Sequence, residues 1–266
     1  MPQSLNLVKM NILEEITNHK KKEIEAAKRS VSIGELQNSE FYNRKTLCLK
    51  SSLPKTTGII AEFKRRSPSK PNINIHAKPE DIAPFYEQFG ASAVSVLTDQ
   101  VFFGGNLKDL KTVRRLINIP LLRKDFMIDE YQFYEAKAFG ADIVLLIAAI
   151  LSPSQVIEFT QLSHQLGLEV LLEIHTEDEL QHYTPLIDFI GINNRNLKDF
   201  KVNLQNSVNL KNLLPAGTLS IAESGISSVE DFKFLKKNGF NGFLMGEYFM
   251  KNENPGVAFK NFAKEI

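Results

Sequence analysis

The sequence predicts a single α/β domain, a (β/α)8 TIM barrel preceded by an extra N-terminal helical segment. Three observations lead to it. From residue 58 onward, eight short runs rich in Val, Ile, Leu and Phe alternate with amphipathic helical stretches, as strands covered on both faces require. Those eight units fill about 210 residues, which suits one barrel better than a doubly wound sheet. The first strand also runs into "RRSPSKP", without the glycine-rich phosphate loop that usually follows the first strand of a doubly wound sheet.

Taken in order, residues 1–10 show no packing pattern and are expected to be a flexible N-terminus. Residues 11–57 form a helical extension expected to pack on the barrel. Within it, 11–38 read as a helix and a shorter one, and 39–57 as a connecting segment. The lysine-rich "NHKKKEIEAAK" reads as a solvated face. The barrel spans 58–266. Its strands are read at "GIIAEFK" (58–64), "AVSVLTD" (93–99), "PLLRKDF" (120–126), "DIVLLIA" (142–148), "EVLLEI" (169–174), "FIGINN" (189–194), "LSIAES" (219–224) and "GFLMGE" (242–247). Helix signals lie between them. Gly90, Gly140 and Gly239 close three helices, Ser152 and Ser228 open two, and Pro153 occupies a first turn.

Composition narrows the function classes. A net charge of +1 gives no global field for nucleic acid or a membrane surface. "EFKRRSPSKP" is a short basic run without an aromatic stacking stripe, so it reads as a loop and not as a nucleic-acid patch. Cys48 is the only cysteine, which excludes a disulfide framework and a zinc ribbon. The five histidines are scattered, with no HExxH pair. The longest apolar run, 142–151, is too short to span a bilayer, and the start lacks the apolar core of a signal peptide. A reduced, cytoplasmic chain is expected, with no metal or organic cofactor and no fused neighbouring domain. A monomer is expected, with a weak dimer as the alternative.

In such barrels the active site forms at the C-terminal ends of the strands, and here those ends are polar. The first carries Glu62 and Lys64, two apart and so on one face. The third carries Lys124, with Arg123 and Asp125 alternating to the other face for packing or a salt bridge. The fifth ends in Glu173, the sixth in Asn193 and Arg195, and the seventh in Glu223 and Ser224, while Gly246 and Glu247 follow the eighth. One buried charge could be an interior salt bridge. Several strands charged at the same end would gain little stability, whereas clustered lysines and carboxylates suit general acid–base chemistry. The small residues of "AESGI" (222–226) and "LMGE" (244–247) follow the last two strands, where these barrels often bind phosphate through backbone N–H groups.

The motifs "IIAEFKRRSPSK", "SVLTDQVFFGGNLKDL", "LLRKDFMIDEYQFYEAKAFGAD", "VLLIAAIL", "LEVLLEIHTEDEL", "IGINNRNLKDF", "AESGI" and "FLMGE" resemble indole-3-glycerol-phosphate synthase. The likeness runs from about residue 11 to the end and includes that family's N-terminal segment. It implies the substrate 1-(2-carboxyphenylamino)-1-deoxyribulose 5-phosphate, closed to indole-3-glycerol phosphate with loss of CO2 and water. It also implies a catalytic set of Lys124, Glu173, Lys64, Glu62 and Asn193. The substrate-binding set is Ser67, Arg195, Phe103, Phe126, Glu223, Ser224, Gly225, Gly246 and Glu247, with Leu146 beside the aromatic ring. The division of proton transfers among the lysines and glutamates is left open. Two positions depart from the pattern: Pro71 replaces a common glycine, and Glu247 is expected to point away from the phosphate. The alternatives are another phosphate-binding barrel of the same pathway, of the phosphoribosylanthranilate isomerase type, or a silent scaffold. The isomerase reading would need a cysteine–aspartate pair, and Cys48 lies before the barrel.

Overall fold

The structure, a computed structural model, describes residues 12–195 and 201–266. The expected flexible stretch 1–10 lies outside the described residues. Helix α1 (Ile12–Ser30) buries Ile16, Lys20 and Ile24, an i, i+4, i+8 stripe that gives the helix one inward face. Lys20 therefore overturns part of the sequence reading: it is fully buried, not on a solvated face. Helix α2 (Ile33–Gln37) starts at Ser32, which forms a capping box with Glu35. Through Ile24 and Leu36 the two helices pack on Tyr131 and Ala138 of the barrel.

The segment 39–57 is more than a connection. Helix α3 (Leu49–Ser52) and a 3₁₀ turn at Leu53–Lys55 close the N-terminal end of the barrel. Leu49 and Leu53 join its interior core. Asp142 accepts the Leu47 N–H at 2.7 Å and Glu169 accepts the Leu49 N–H at 2.6 Å, tying this plug to the starts of the fourth and fifth strands.

Eight parallel strands form a closed barrel in sequence order: β1 (Ile59–Phe63), β2 (Ala93–Leu97), β3 (Leu121–Lys124), β4 (Ile143–Ile147), β5 (Glu169–Ile174), β6 (Phe189–Asn193), β7 (Ser220–Glu223) and β8 (Gly242–Met245). Closure is made by β8 on β1, with Ile60 opposite Leu244. The outer helices are α4 (Ala83–Gln88), α5 (Leu107–Leu116), α6 (Tyr131–Ala138), α7 (Pro153–Gln165), α8 (Leu204–Asn212), α9 (Val229–Lys237), α10 (Glu247–Met250) and α11 (Pro255–Ala263). Ser152 and Ser228 cap α7 and α9 as read from the sequence. Gly90, Gly140 and Gly239 adopt positive φ, the left-handed turn that lets a helix end and the chain re-enter the sheet.

Alternation along each strand divides the core into two layers. Ile60, Leu122, Leu145, Leu171 and Ile221 fill the barrel interior, while Ala61, Val94, Val144, Leu146 and Leu172 face the helices. Leu146 therefore cannot enclose a ligand in the barrel mouth. Its neighbours Leu145 and Ile147 point inward instead.

Candidate active site

A cavity of about 230 Å³ opens at the C-terminal ends of the strands. Its floor is set by the last inward residue of each strand, which is why the polar strand ends meet there. Among the sequence-predicted residues, Glu62, Lys64, Ser67, Phe103, Lys124, Phe126, Glu173, Asn193, Arg195, Ser224, Gly225, Gly246 and Glu247 all line it.

Glu223 does not line it. Expected among the substrate contacts, it is only 1% exposed and lies beneath, with Lys124 Nζ 2.6 Å from its Oε2. Gly191 on β6 makes the room: a Cβ there would collide with Glu223 Oε1.

Lys124 is the centre of the arrangement. Besides Glu223, its ammonium donates to Glu173 Oε2 at 3.2 Å. Burial alone would depress the Lys124 pKa, but the attraction of Glu223, Glu173 and Glu62 outweighs it and holds the group above the ordinary lysine value. Glu173 shows the converse balance. Burial would raise it, yet Lys124 and His175 hold it below the usual carboxylate range. Glu223 is pushed up to about 7, chiefly by burial and only partly relieved by Lys124, with Glu173 adding repulsion. Two carboxylates on one lysine thus have different proton affinities.

The neighbours of this centre are fixed from both sides. Asn193 Nδ2 donates to Glu173 Oε1 at 3.0 Å, and the Arg195 N–H donates to Asn193 Oδ1 at 3.0 Å. Lys64 Nζ lies 2.6 Å from Glu62 Oε1, on one face of β1 as their spacing predicted. Arg123 and Asp125 pair on the opposite face at 3.0 Å, and Arg123 also reaches Glu135 at 2.7 Å. Phe103 and Phe126 pack with ring centroids 5.9 Å apart on the apolar side of the cavity.

After β7, Ser224 and Gly225 both take positive φ, 64° and 71°. That is a strained conformation for serine. Asn194 holds it, donating from Nδ2 to the Ser224 carbonyl at 2.7 Å. After β8, Gly246 lies against Glu62: a Cβ would come within 2.6 Å of Glu62 Oε1. The sequence had explained Gly246 by backbone access alone. Glu247 lines the mouth of the cavity. Its carboxylate pairs with Lys70, and Arg195 stands 3.8 Å from it, so its charge is balanced in place.

Among the lining residues that escaped the sequence reading, Ile12, Leu13 and Ile16 of α1 lie farthest from the strands in sequence. The signal was present in the i, i+4 apolar spacing of α1, but that pattern does not say which surface it covers. His175, 3.0 Å from Glu173 Oε1, was also missed.

A closed parallel barrel with lysines and carboxylates converging at its C-terminal mouth defines an acid–base enzyme of the (β/α)8 class. The solved structures it resembles share that fold. One is the tryptophan synthase subunit alpha from Legionella pneumophila (TM-score 0.59, 12% identity, covering 82% of this chain and 97% of that one). Another is a thiamine phosphate pyrophosphorylase from Pyrococcus furiosus (TM-score 0.57, 15% identity, covering 78% and 93%). Residues 13–262 match the indole-3-glycerol phosphate synthase family. Proteins of that name are similar over nearly the whole chain. The one from Bacteroides thetaiotaomicron is 50% identical over 96% of this chain and 99% of its own, and one from Prochlorococcus marinus is 43% identical over 96% and 90%. The chain belongs to the indole-3-glycerol phosphate synthase family. It is a decarboxylating lyase of tryptophan biosynthesis, and neither the isomerase nor the scaffold reading stands.

Proposed function

We propose that Lys124 supplies the proton that the substrate ketone takes up as the aromatic carbon attacks it. The observation that carries this is the ammonium buried between Glu173 and Glu223 at the base of the cavity. Such a group is charged at neutral pH, and an oxygen becoming an alkoxide is basic enough to take its proton. Ring closure leaves a cationic intermediate, and the Glu173 carboxylate is the preorganised counter-charge for it. Rearomatisation then drives loss of CO2 without an electron sink. Loss of water needs an acid and a base, and Lys64 with Glu62 forms such a pair on the wall of the same cavity. Asn193 holds the reacting oxygen while it anchors Glu173, and Arg195 orients the acids or a substrate carboxylate.

Recognition divides by chemistry. Ser67 and Lys64 receive the anthranilate carboxylate, and Phe103 and Phe126 enclose its ring, with Leu145 and Ile147 replacing Leu146 in that role. Backbone N–H groups at Ser224–Gly225 and after Gly246 bind the phosphate, with the Ser224 hydroxyl assisting. Ile12, Leu13 and Ile16 of α1 cover the substrate, so the extension 11–57 and the barrel work as one domain. The same reading includes a monomeric, cytoplasmic enzyme without nucleic-acid or membrane partners; no helix among the described residues is long and apolar enough to cross a membrane.

The test is a fluorescence assay for indole-3-glycerol phosphate with the purified chain. Product from the wild type and its loss in Lys124→Met supports the reading. Normal turnover by the variant would make Lys124 structural. A crystal soaked in sulfate should hold the anion between residues 224–226 and 246–248, and Ser224→Ala should raise KM by about tenfold, the worth of a hydrogen bond to a charged group.

A further inference from the structure

His175 is a buried titratable group that none of these steps uses. It lies just beyond β5, two residues after Glu173, so both side chains leave the chain on the same side. Its Nε2 is 3.0 Å from Glu173 Oε1 and its Nδ1 is 3.4 Å from Glu179 Oε2. Glu179 is held there by the 3₁₀ turn Glu177–His182 and by the His175 backbone N–H, which donates to its Oε2 at 2.6 Å. His182 of the same turn engages the backbone carbonyls of Leu151 and Glu179.

A neutral imidazole has one N–H and one lone pair. Here carboxylate oxygens stand 3.0 Å and 3.4 Å from the two ring nitrogens, and neither nitrogen has an aligned hydrogen-bond partner among the described residues, so the contact is one of charge. A neutral ring offers no charge to either carboxylate, whereas an imidazolium attracts both. Burial alone would lower the ring's pKa, but Glu173 and Glu179 outweigh it and raise it to about 10. The charged groups around the ring are therefore Glu173 from β5, Glu179 from the following turn and, across Glu173, Lys124 from β3. Asn193 from β6 adds a neutral donor to Glu173.

The two carboxylates on Lys124 are not equivalent in this respect. Glu173 has His175 as a second cation, whereas Glu223 Oε1 has no hydrogen-bond partner among the described residues. When Lys124 delivers its proton, both carboxylates lose their shared cation. We propose that His175 is a positioning residue for the reaction: an imidazolium clamped between Glu173 and Glu179 that keeps Glu173 charged and aimed when Lys124 becomes neutral. Glu223 is then the carboxylate free to take up and return a proton, and Glu173 stays the permanent anion facing the cationic intermediate. This assignment rests on the roles given above to Lys124 and Glu173.

The experiment measures kcat and KM from about pH 5 to 9 for wild type, His175→Asn, Glu173→Gln and the double variant. His175 does not line the cavity, so KM should hold in His175→Asn. Its kcat should fall about tenfold across that range, the loss of a positioned counter-charge showing in kcat and not in KM. In the Glu173→Gln background the second substitution should add nothing, because its target is gone. A His175→Asn profile that superimposes on wild type, with Glu173→Gln inactive, overturns this proposal alone. Full activity in Glu173→Gln overturns both it and the reading of Glu173. A measurement on the unaltered protein avoids any dependence on the variant's folding: the ring nitrogens of His175, assigned by NMR, should report an imidazolium at pH 7. A neutral ring there overturns the proposal.

Discussion

A lysine at the end of a buried strand must be paired or used, and Lys124 is both. Its pairing makes its removal informative beyond the loss of a proton donor. In Lys124→Met, Glu173 and Glu223 would face each other without their shared cation, and like charges raise each other's pKa. Glu223, already pushed up to about 7 with Lys124 in place, should then be protonated at neutral pH, which relieves the repulsion and lets the chain fold. We expect kcat to fall by about 10² to 10⁴-fold, with a lowered melting temperature. Lys124→Arg should not restore turnover, because a guanidinium gives up its proton poorly. The assay read beside thermal melting decides: a folded Lys124→Met with normal kcat removes the assignment. Gly246 gives a second residue-scale test. Its missing Cβ leaves room for Glu62, so Gly246→Ala should displace Glu62 from Lys64 and lower kcat, while Gly246→Val should do so further and also raise KM. An unchanged kcat in both variants would show that Glu62 tolerates displacement.

Among the elements, α1 carries the most unexpected role. It brings an apolar stripe to the cavity and a single charge, Lys20, to a pocket of acids. Lys20 Nζ lies 3.0 Å from Asp99, 2.9 Å from Asp125 and 3.0 Å from Glu23. Asp125 adjoins both Lys124 and Phe126. Asp99 Oδ1 accepts the Phe102 N–H at 2.8 Å, which shapes the turn that presents Phe103. The pin that holds α1 thus also sets the two strand ends carrying the aromatic wall. Removing one partner of a buried ion pair strands the other charge, at a cost of about 3–5 kcal/mol. Lys20→Met should show a loss of that order in urea unfolding, together with a raised KM as the Phe103 and Phe126 positions loosen. Deleting through residue 38 removes pin and cover together and should abolish activity or solubility. Full activity in that truncation would reduce the extension to an appendage.

At the scale of the whole molecule, the sequence was most readable where chain periodicity and environment agree. Strands covered on both faces must be apolar throughout, so all eight stood out, and the spacing of two put Glu62 and Lys64 on one face. The same uniformity hid direction: nothing in "IVLLI" separates inward Leu145 from outward Leu146. Lys20 was hidden because its acidic partners Asp99 and Asp125 lie far along the chain, and a lysine among lysines looks solvated. The depth of Glu223 depended on the missing side chain of Gly191, a fact of packing that no local pattern records. Those buried charges together set how the fold responds to pH. Folding raises His175 from the ordinary 6.5 to about 10, so its contribution is complete below pH 6.5 and is lost as pH climbs to about 10. Glu223, raised from 4.5 to about 7, also disfavours the folded state progressively as pH rises through that interval. Glu173 and Asp125, held below their ordinary 4.5 and 3.8, act in the other direction, with stability complete above those values and lost progressively as pH falls below them. The melting temperature should therefore peak in mildly acidic solution and decline through neutrality toward pH 10. His175→Asn lacks the largest titration in the alkaline half of that range, so its melting temperature should fall less steeply above pH 7 than that of the wild type. Differential scanning calorimetry of both proteins across that range tests the point, and parallel alkaline limbs would mean that the ring is not the charged clamp described for it.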